Sequence, residues 1–255
     1  MNKYSFLDDY SEGCHPLIMQ ALSRTNLVQQ TSYGNDEYSQ QAKTLIRQRL
    51  HSPEADVYFV STGTQANLIV ISSMLRSHEA VISAATGHIL VRETGAIEAT
   101  GHQIISVKTD NGKLTLESIQ AVLDEYTMVP PHMVKPKLVY ISNATETGTI
   151  YSKAELTALY NFCQEKGLYL FLDGARLGSA LCSGNNDIIF EDLPKLTDVF
   201  YIGGTKNGAL IGEAIVINNP YLKEDFAFHI KQRGALLSKG RLLGIQFLCE
   251  LRANS

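Results

Sequence analysis

Residues 168–177 read Leu-Tyr-Leu-Phe-Leu-Asp-Gly-Ala-Arg-Leu. Five apolar residues in succession suit a strand covered on both faces, as strands of parallel sheets are, and Asp173-Gly174 ends the run with a turn. Just upstream, Ser152-Lys-Ala-Glu155 is a capping box, so a helix is predicted over 153–166, stopped by Gly167. Downstream, 199–202 and 214–217 are further short apolar runs. Back toward the N-terminus, 138–142, 103–108, 80–84 and 57–61 repeat the signal. Thr62-Gly63-Thr64 joins the last of these, read as a buried strand, to a helical stretch over 65–75. Pro130, Pro131 and Pro136 make 129–136 a loop, and 236–252 is helical in pattern. This alternation predicts an α/β fold with a mostly parallel sheet. Ligands of such sheets gather beyond the carboxyl ends of the strands, which picks out Gly63, Asp173 and Lys206.

A net charge of −4 gives no reason to expect nucleic acid or an anionic membrane as a partner. No apolar run nears the roughly 18 residues of a membrane span. The first ten residues, with Asp8 and Asp9, lack the apolar stretch of a secretory signal. Cys14, Cys163, Cys182 and Cys249 form no C-x-x-C pair and the histidines no H-x-x-x-H pair. No metal site is therefore expected, and the thiols read as free in a reducing cytoplasm.

Three features carry chemistry. Thr62-Gly63-Thr64 opens a helix whose unpaired N–H groups and positive dipole end suit a phosphate, although alone it is equally a threonine N-cap. Asp173 at a strand end either caps the next turn or stays ionised against a protonated pyridine nitrogen, with Arg176 offering a planar fork to a carboxylate or ring oxygen. Lys206 follows Gly203-Gly204-Thr205; alone it is equally a solvated surface lysine, and the Thr205 hydroxyl is a second phosphate ligand. Together the three point to pyridoxal 5'-phosphate held covalently on Lys206.

These residues resemble the threonine aldolase and β-eliminating lyase family of fold-type-I pyridoxal-phosphate enzymes, with the low-specificity L-threonine aldolases the nearest subgroup. The family's L-D-G-A-R-L string stands unaltered at 172–177, its Ser-Lys is matched by Thr205-Lys206, and its Gly-Thr turn by Thr62-Gly63-Thr64. A histidine followed five residues later by a glutamate is matched by His88 and Glu93. Asp9-Tyr-Ser-Glu-Gly13 with His15-Pro16, and Tyr33-Gly34-x-Asp36, look like its N-terminal elements. Residues 231–240 look like a divergent form of the segment that holds phosphate across the subunit interface.

The resemblance implies an aspartate-aminotransferase-like large domain at 36–235, preceded by an N-terminal active-site segment at 1–35. A helix at 236–255 would lead to a small C-terminal domain absent from these residues. It implies cleavage of L-threonine, L-allo-threonine or related β-hydroxy-α-amino acids to glycine and an aldehyde. The alternatives are β-elimination to pyruvate and ammonia, or a truncated non-catalytic member. Lys206, His88 and Asp173 are the expected catalytic residues. Thr62, Gly63, Thr64, His88, Asp173, Arg176, Thr205 and Lys206 would bind cofactor, and Asp9, Tyr33 and Arg176 the substrate. A homodimer or homotetramer with sites at the interface is expected. Asn143-Ala-Thr145-Glu146 departs from the family's Asn-Thr-His-Asn, so Thr145 would stand where the second active-site histidine stands.

Overall fold

Alternate residues of the 168–172 run face opposite sides of one sheet. Leu170 and Leu172 belong to one apolar core and Phe171 to the other, all three fully buried. The computed structural model describes residues 4–253; residues 1–3 of the expected N-terminal segment and 254–255 of the expected last helix lie outside them.

In chain order the elements are α1 (Pro16–Thr25), α2 (Glu37–Arg49), β1 (Asp56–Val60), α3 (Gly63–Met74), β2 (Glu79–Ala84), α4 (His88–Val91), β3 (Ile104–Val107), α5 (Leu116–Thr127), β4 (Lys135–Ser142), α6 (Lys153–Glu165), β5 (Tyr169–Asp173), α7 (Leu177–Leu181), α8 (Leu193–Leu196), β6 (Val199–Gly203), β7 (Glu213–Ile217), α9 (Phe226–Gln232) and α10 (Arg241–Ala253). The seven strands form one sheet in the order β1-β7-β6-β5-β4-β2-β3. Only β7 runs antiparallel to its neighbours, so the sheet is mixed and mostly parallel. Two reversals at β7 leave β1 pointing the same way as β4, β5 and β6. The carboxyl ends of these strands, and the start of β7, therefore open on one edge.

The capping box at Ser152 and Glu155 forms, and Gly167 takes a left-handed φ of 65° just beyond α6, as the sequence predicts. Three details differ. β1 lies at the sheet edge, so Tyr58 and Phe59 are only half-buried. β4 starts at Lys135, and Pro136, which has no N–H to donate, sits where the register with β2 shifts between Ala80 and Val81. The last helix starts at Arg241, because 236–240 is tied down as a loop: Ser238 accepts a backbone bond from Tyr33, and Gly240 packs against Gly34 with no room for a Cβ. Leu243, Ile245, Phe247 and Leu248 of α10 are buried, and the helix packs on α1, α2 and β1. These four side chains are thus covered by the chain itself.

Candidate active site

The shared edge holds a cavity of about 400 Å³ lined by residues from seven separate stretches of chain, a size ordinary for a small-molecule site. Its floor is β5. Asp173, 4% exposed, accepts four hydrogen bonds: Tyr201 Oη (2.5 Å) and the Ala175 amide (3.0 Å) on Oδ1, Tyr140 Oη (2.5 Å) and Asn67 Nδ2 (3.2 Å) on Oδ2. Gly174 lets the chain turn here, since a Cβ on it would fall 1.8 Å from the Tyr201 carbonyl oxygen.

One wall is the start of α3. Thr62 Oγ1 caps the helix by accepting from the Gln65 amide at 3.1 Å, while the amides of Gly63 and Thr64 find no partner among the described residues. The threonine is a cap, as one reading of the turn has it, and the two unpartnered N–H groups are of the kind an anion could use. A Cβ at Gly63 would lie 3.0 Å from the Tyr201 hydroxyl, a contact tight enough to push on it.

Opposite stands the 203–206 turn. Lys206 makes no hydrogen bond or salt bridge among the described residues; its ammonium lies 5.7 Å from the centroid of the Tyr10 ring. Glu213, at the start of β7, fixes the turn by accepting from the Gly204 amide and Thr205 Oγ1, both at 3.0 Å. Burial pushes its carboxyl up to about 8 against those two hydrogen bonds, which favour the ionised form. Thr205 Oγ1 also accepts from the Gly212 amide at 3.0 Å. Its hydrogen is committed inside the chain, which removes the free donor that the sequence assigns to a phosphate.

The remaining wall carries His88 and Glu146. His88 Nδ1 meets Glu93 Oε1 at 2.8 Å, and Asn67 Nδ2 reaches the same oxygen at 2.7 Å. Glu146 Oε1 accepts from the His88 amide at 2.9 Å and from Ser142 Oγ at 2.7 Å. Thr145 points elsewhere: its hydroxyl bonds Thr147 and Thr149, and the side chain is buried. The 143–146 segment thus brings a carboxylate, not Thr145, to the cavity.

Arg176 and Asp9 also meet, through Nε–Oδ2 at 2.5 Å and Nη2–Oδ1 at 3.1 Å. Burial pushes the Asp9 carboxyl up, but the hydrogen bonds and charge of Arg176 outweigh it and leave it below the usual carboxylate range. Tyr33 is not brought to the cavity. It lines a second one with Gly34, Lys43 and Tyr58, and the Lys231 ammonium stands 4.7 Å from its ring centroid. Asp36, the end of the same motif, is a buried N-cap of α2 that accepts from Ser39. Sequence reading missed Tyr140, Tyr201, Asn67, Glu146 and Glu213.

The fold is that of the aspartate aminotransferases: the Thermus thermophilus enzyme, as a single mutant, is 15% identical at a TM-score of 0.71 over 95% of this chain and 65% of that one. A profile of the family described as beta-eliminating lyase matches residues 8–254, and the chain belongs to that family. A low-specificity L-threonine aldolase of Pseudomonas aeruginosa is 36% identical over 238 residues, 92% of this chain and 68% of that protein. A solved threonine aldolase of Leishmania major is 52% identical, with a TM-score of 0.97 over 99% of this chain and 73% of that one.

Proposed function

We propose that this chain is a pyridoxal-phosphate-dependent aldehyde-lyase that cleaves L-threonine, L-allo-threonine or a related β-hydroxy-α-amino acid to glycine and an aldehyde. One observation carries the reading. A single cavity offers an unpaired lysine amine, a buried carboxylate and two unpaired amides at a helix N-terminus, in a chain 52% identical to a solved threonine aldolase. Those parts fit a phosphorylated pyridine aldehyde: Lys206 for its carbonyl, Asp173 for its ring nitrogen, and Gly63 and Thr64 for its phosphate. When bound, the cofactor supplies a sink for the electron pair released as Cα–Cβ breaks.

The chain's own residues do the rest. Glu93 accepts from His88 Nδ1, which fixes the tautomer and leaves Nε2 to take the β-hydroxyl proton. Arg176 receives the substrate carboxylate in exchange for Asp9. The enzyme works as a homodimer or homotetramer in the cytoplasm. The four free cysteines fit a reducing compartment.

With L-threonine, the cofactor-loaded protein is expected to release glycine and acetaldehyde in equal amounts. A 2-oxo acid and ammonia in their place would mean β-elimination. His88→Ala is expected to lower kcat on L-threonine by about 10²–10⁴, the usual contribution of a positioned base, while cofactor stays bound by its absorbance. An unchanged kcat would move the role to Glu146, the other ionisable group on that wall.

A further inference from the structure

Tyr140, Asp173 and Tyr201 stand on three adjacent parallel strands, β4, β5 and β6, and on one face of the sheet. The register pairs Tyr140 with Phe171 and Leu172 with Phe200, which sets Tyr201 beside Asp173 and Tyr140 diagonally across from it. The Phe171 ring lies between the two phenols, 5.7 Å from Tyr140 and 6.3 Å from Tyr201 by centroids. Both tyrosines are 1% exposed, so neither hydroxyl can turn to water. Each reaches a different oxygen of the carboxylate at 2.5 Å, the distance of a charge-assisted O–H···O⁻ bond.

We propose that Tyr140 and Tyr201 act as a clamp that keeps Asp173 ionised, so that a proton shared with a bound pyridine nitrogen stays on the ring. The clamp is a positioning device for the cofactor reading given above and rests on it. A carboxylate has about four lone-pair sites, and Tyr140, Tyr201, Asn67 and the Ala175 amide already fill them. A ring N–H would have to share one of these oxygens, and the four hydrogen bonds already on the carboxylate oppose passing its proton to Asp173. Burial, and then the neighbouring carboxylate, push both phenols well above their ordinary range, so they remain donors. The other ionisable groups lining the cavity with Asp173 are Lys206, Arg176, Glu213, His88, Glu146 and Tyr10, with Glu93 beyond Asn67. Removing the two hydroxyls leaves that field unchanged and strips only the donors.

The test uses full-length chain carrying aspartate labelled with ¹³C at the side-chain carboxyl, with and without pyridoxal phosphate. In Tyr140→Phe/Tyr201→Phe, the cofactor-free chain is expected to gain an infrared band of a protonated carboxyl at neutral pH. The band is assigned to Asp173 by its loss when Asp173→Asn is added. In the loaded chain, the ¹⁵N resonance of labelled cofactor is expected to move toward neutral pyridine, and the cofactor dissociation constant to rise about tenfold per hydroxyl removed. A folded double variant with neither the new band nor a changed ring resonance overturns the clamp. If the double variant does not fold, each single variant is expected to show the band at lower pH, and its absence from both overturns the clamp as well. A new band in a protein whose wild type binds no cofactor sinks the functional reading and leaves the clamp standing.

Discussion

Lys206→Ala is expected to abolish turnover, lowering kcat by at least about 10³, because the proposed covalent anchor for the cofactor is lost. Lys206 is set up for this by its surroundings. The 203–206 turn is pinned from three sides: Glu213 accepts from Gly204 and Thr205, Asn207 Nδ2 donates to the Gly203 carbonyl at 2.6 Å, and the Ala209 amide donates to the Gly204 carbonyl. The side chain leaving that rigid turn meets no carboxylate within salt-bridge distance among the described residues, so nothing need be broken before the amine reacts. Borohydride reduction of the wild-type protein and peptide mapping should place a pyridoxyl group on Lys206, and the variant should carry none. A label on another lysine removes Lys206 from its role.

Asp173→Asn is expected to lower kcat by about 10²–10⁴ while cofactor remains bound, since a few kcal/mol of electrostatic stabilisation convert to rate on that scale. The amide keeps the size of the carboxylate but not its charge. It also accepts on one oxygen only, so one of the two phenols loses its acceptor. An unsatisfied buried hydroxyl costs about 1–3 kcal/mol, and the melting temperature should fall modestly. Absorbance of bound cofactor and steady-state kinetics on the same sample separate the two effects. A wild-type kcat in a loaded Asp173→Asn protein would exclude the proposed contact.

Much of this arrangement is legible in the sequence because single residues force it. Five apolar residues before Asp173 leave no exposed face for the strand, and the Ser152 and Glu155 pair dictates where α6 begins. The end-of-strand rule then finds Gly63, Asp173 and Lys206 without further help. What stayed hidden were residues whose type misleads. Tyr140 and Tyr201 lie within apolar strands and read as core, which they also are; only the register across β4, β5 and β6 reveals what their hydroxyls meet. Glu146 was masked by Thr145, because which of two neighbours faces a cavity depends on the path of the loop. Thr205 was read as a donor to phosphate, and only the start of β7, eight residues on, shows that its hydrogen is already spent. Tyr33 and Asp36 form one motif in sequence yet serve different ends, the second as a helix cap.

Asn67 deserves a last consequence. Its amide gives one hydrogen to Glu93 at 2.7 Å and the other to Asp173 at 3.2 Å, and it is wholly buried. The histidine arm of the cavity and the carboxylate floor are therefore not independent parts. Any shift of Glu93 that follows charge on His88 would reach the Asp173 carboxylate through this amide, and such a coupling would be reciprocal. The groups proposed to remove a proton and to hold the cofactor ring are thus joined by a single side chain.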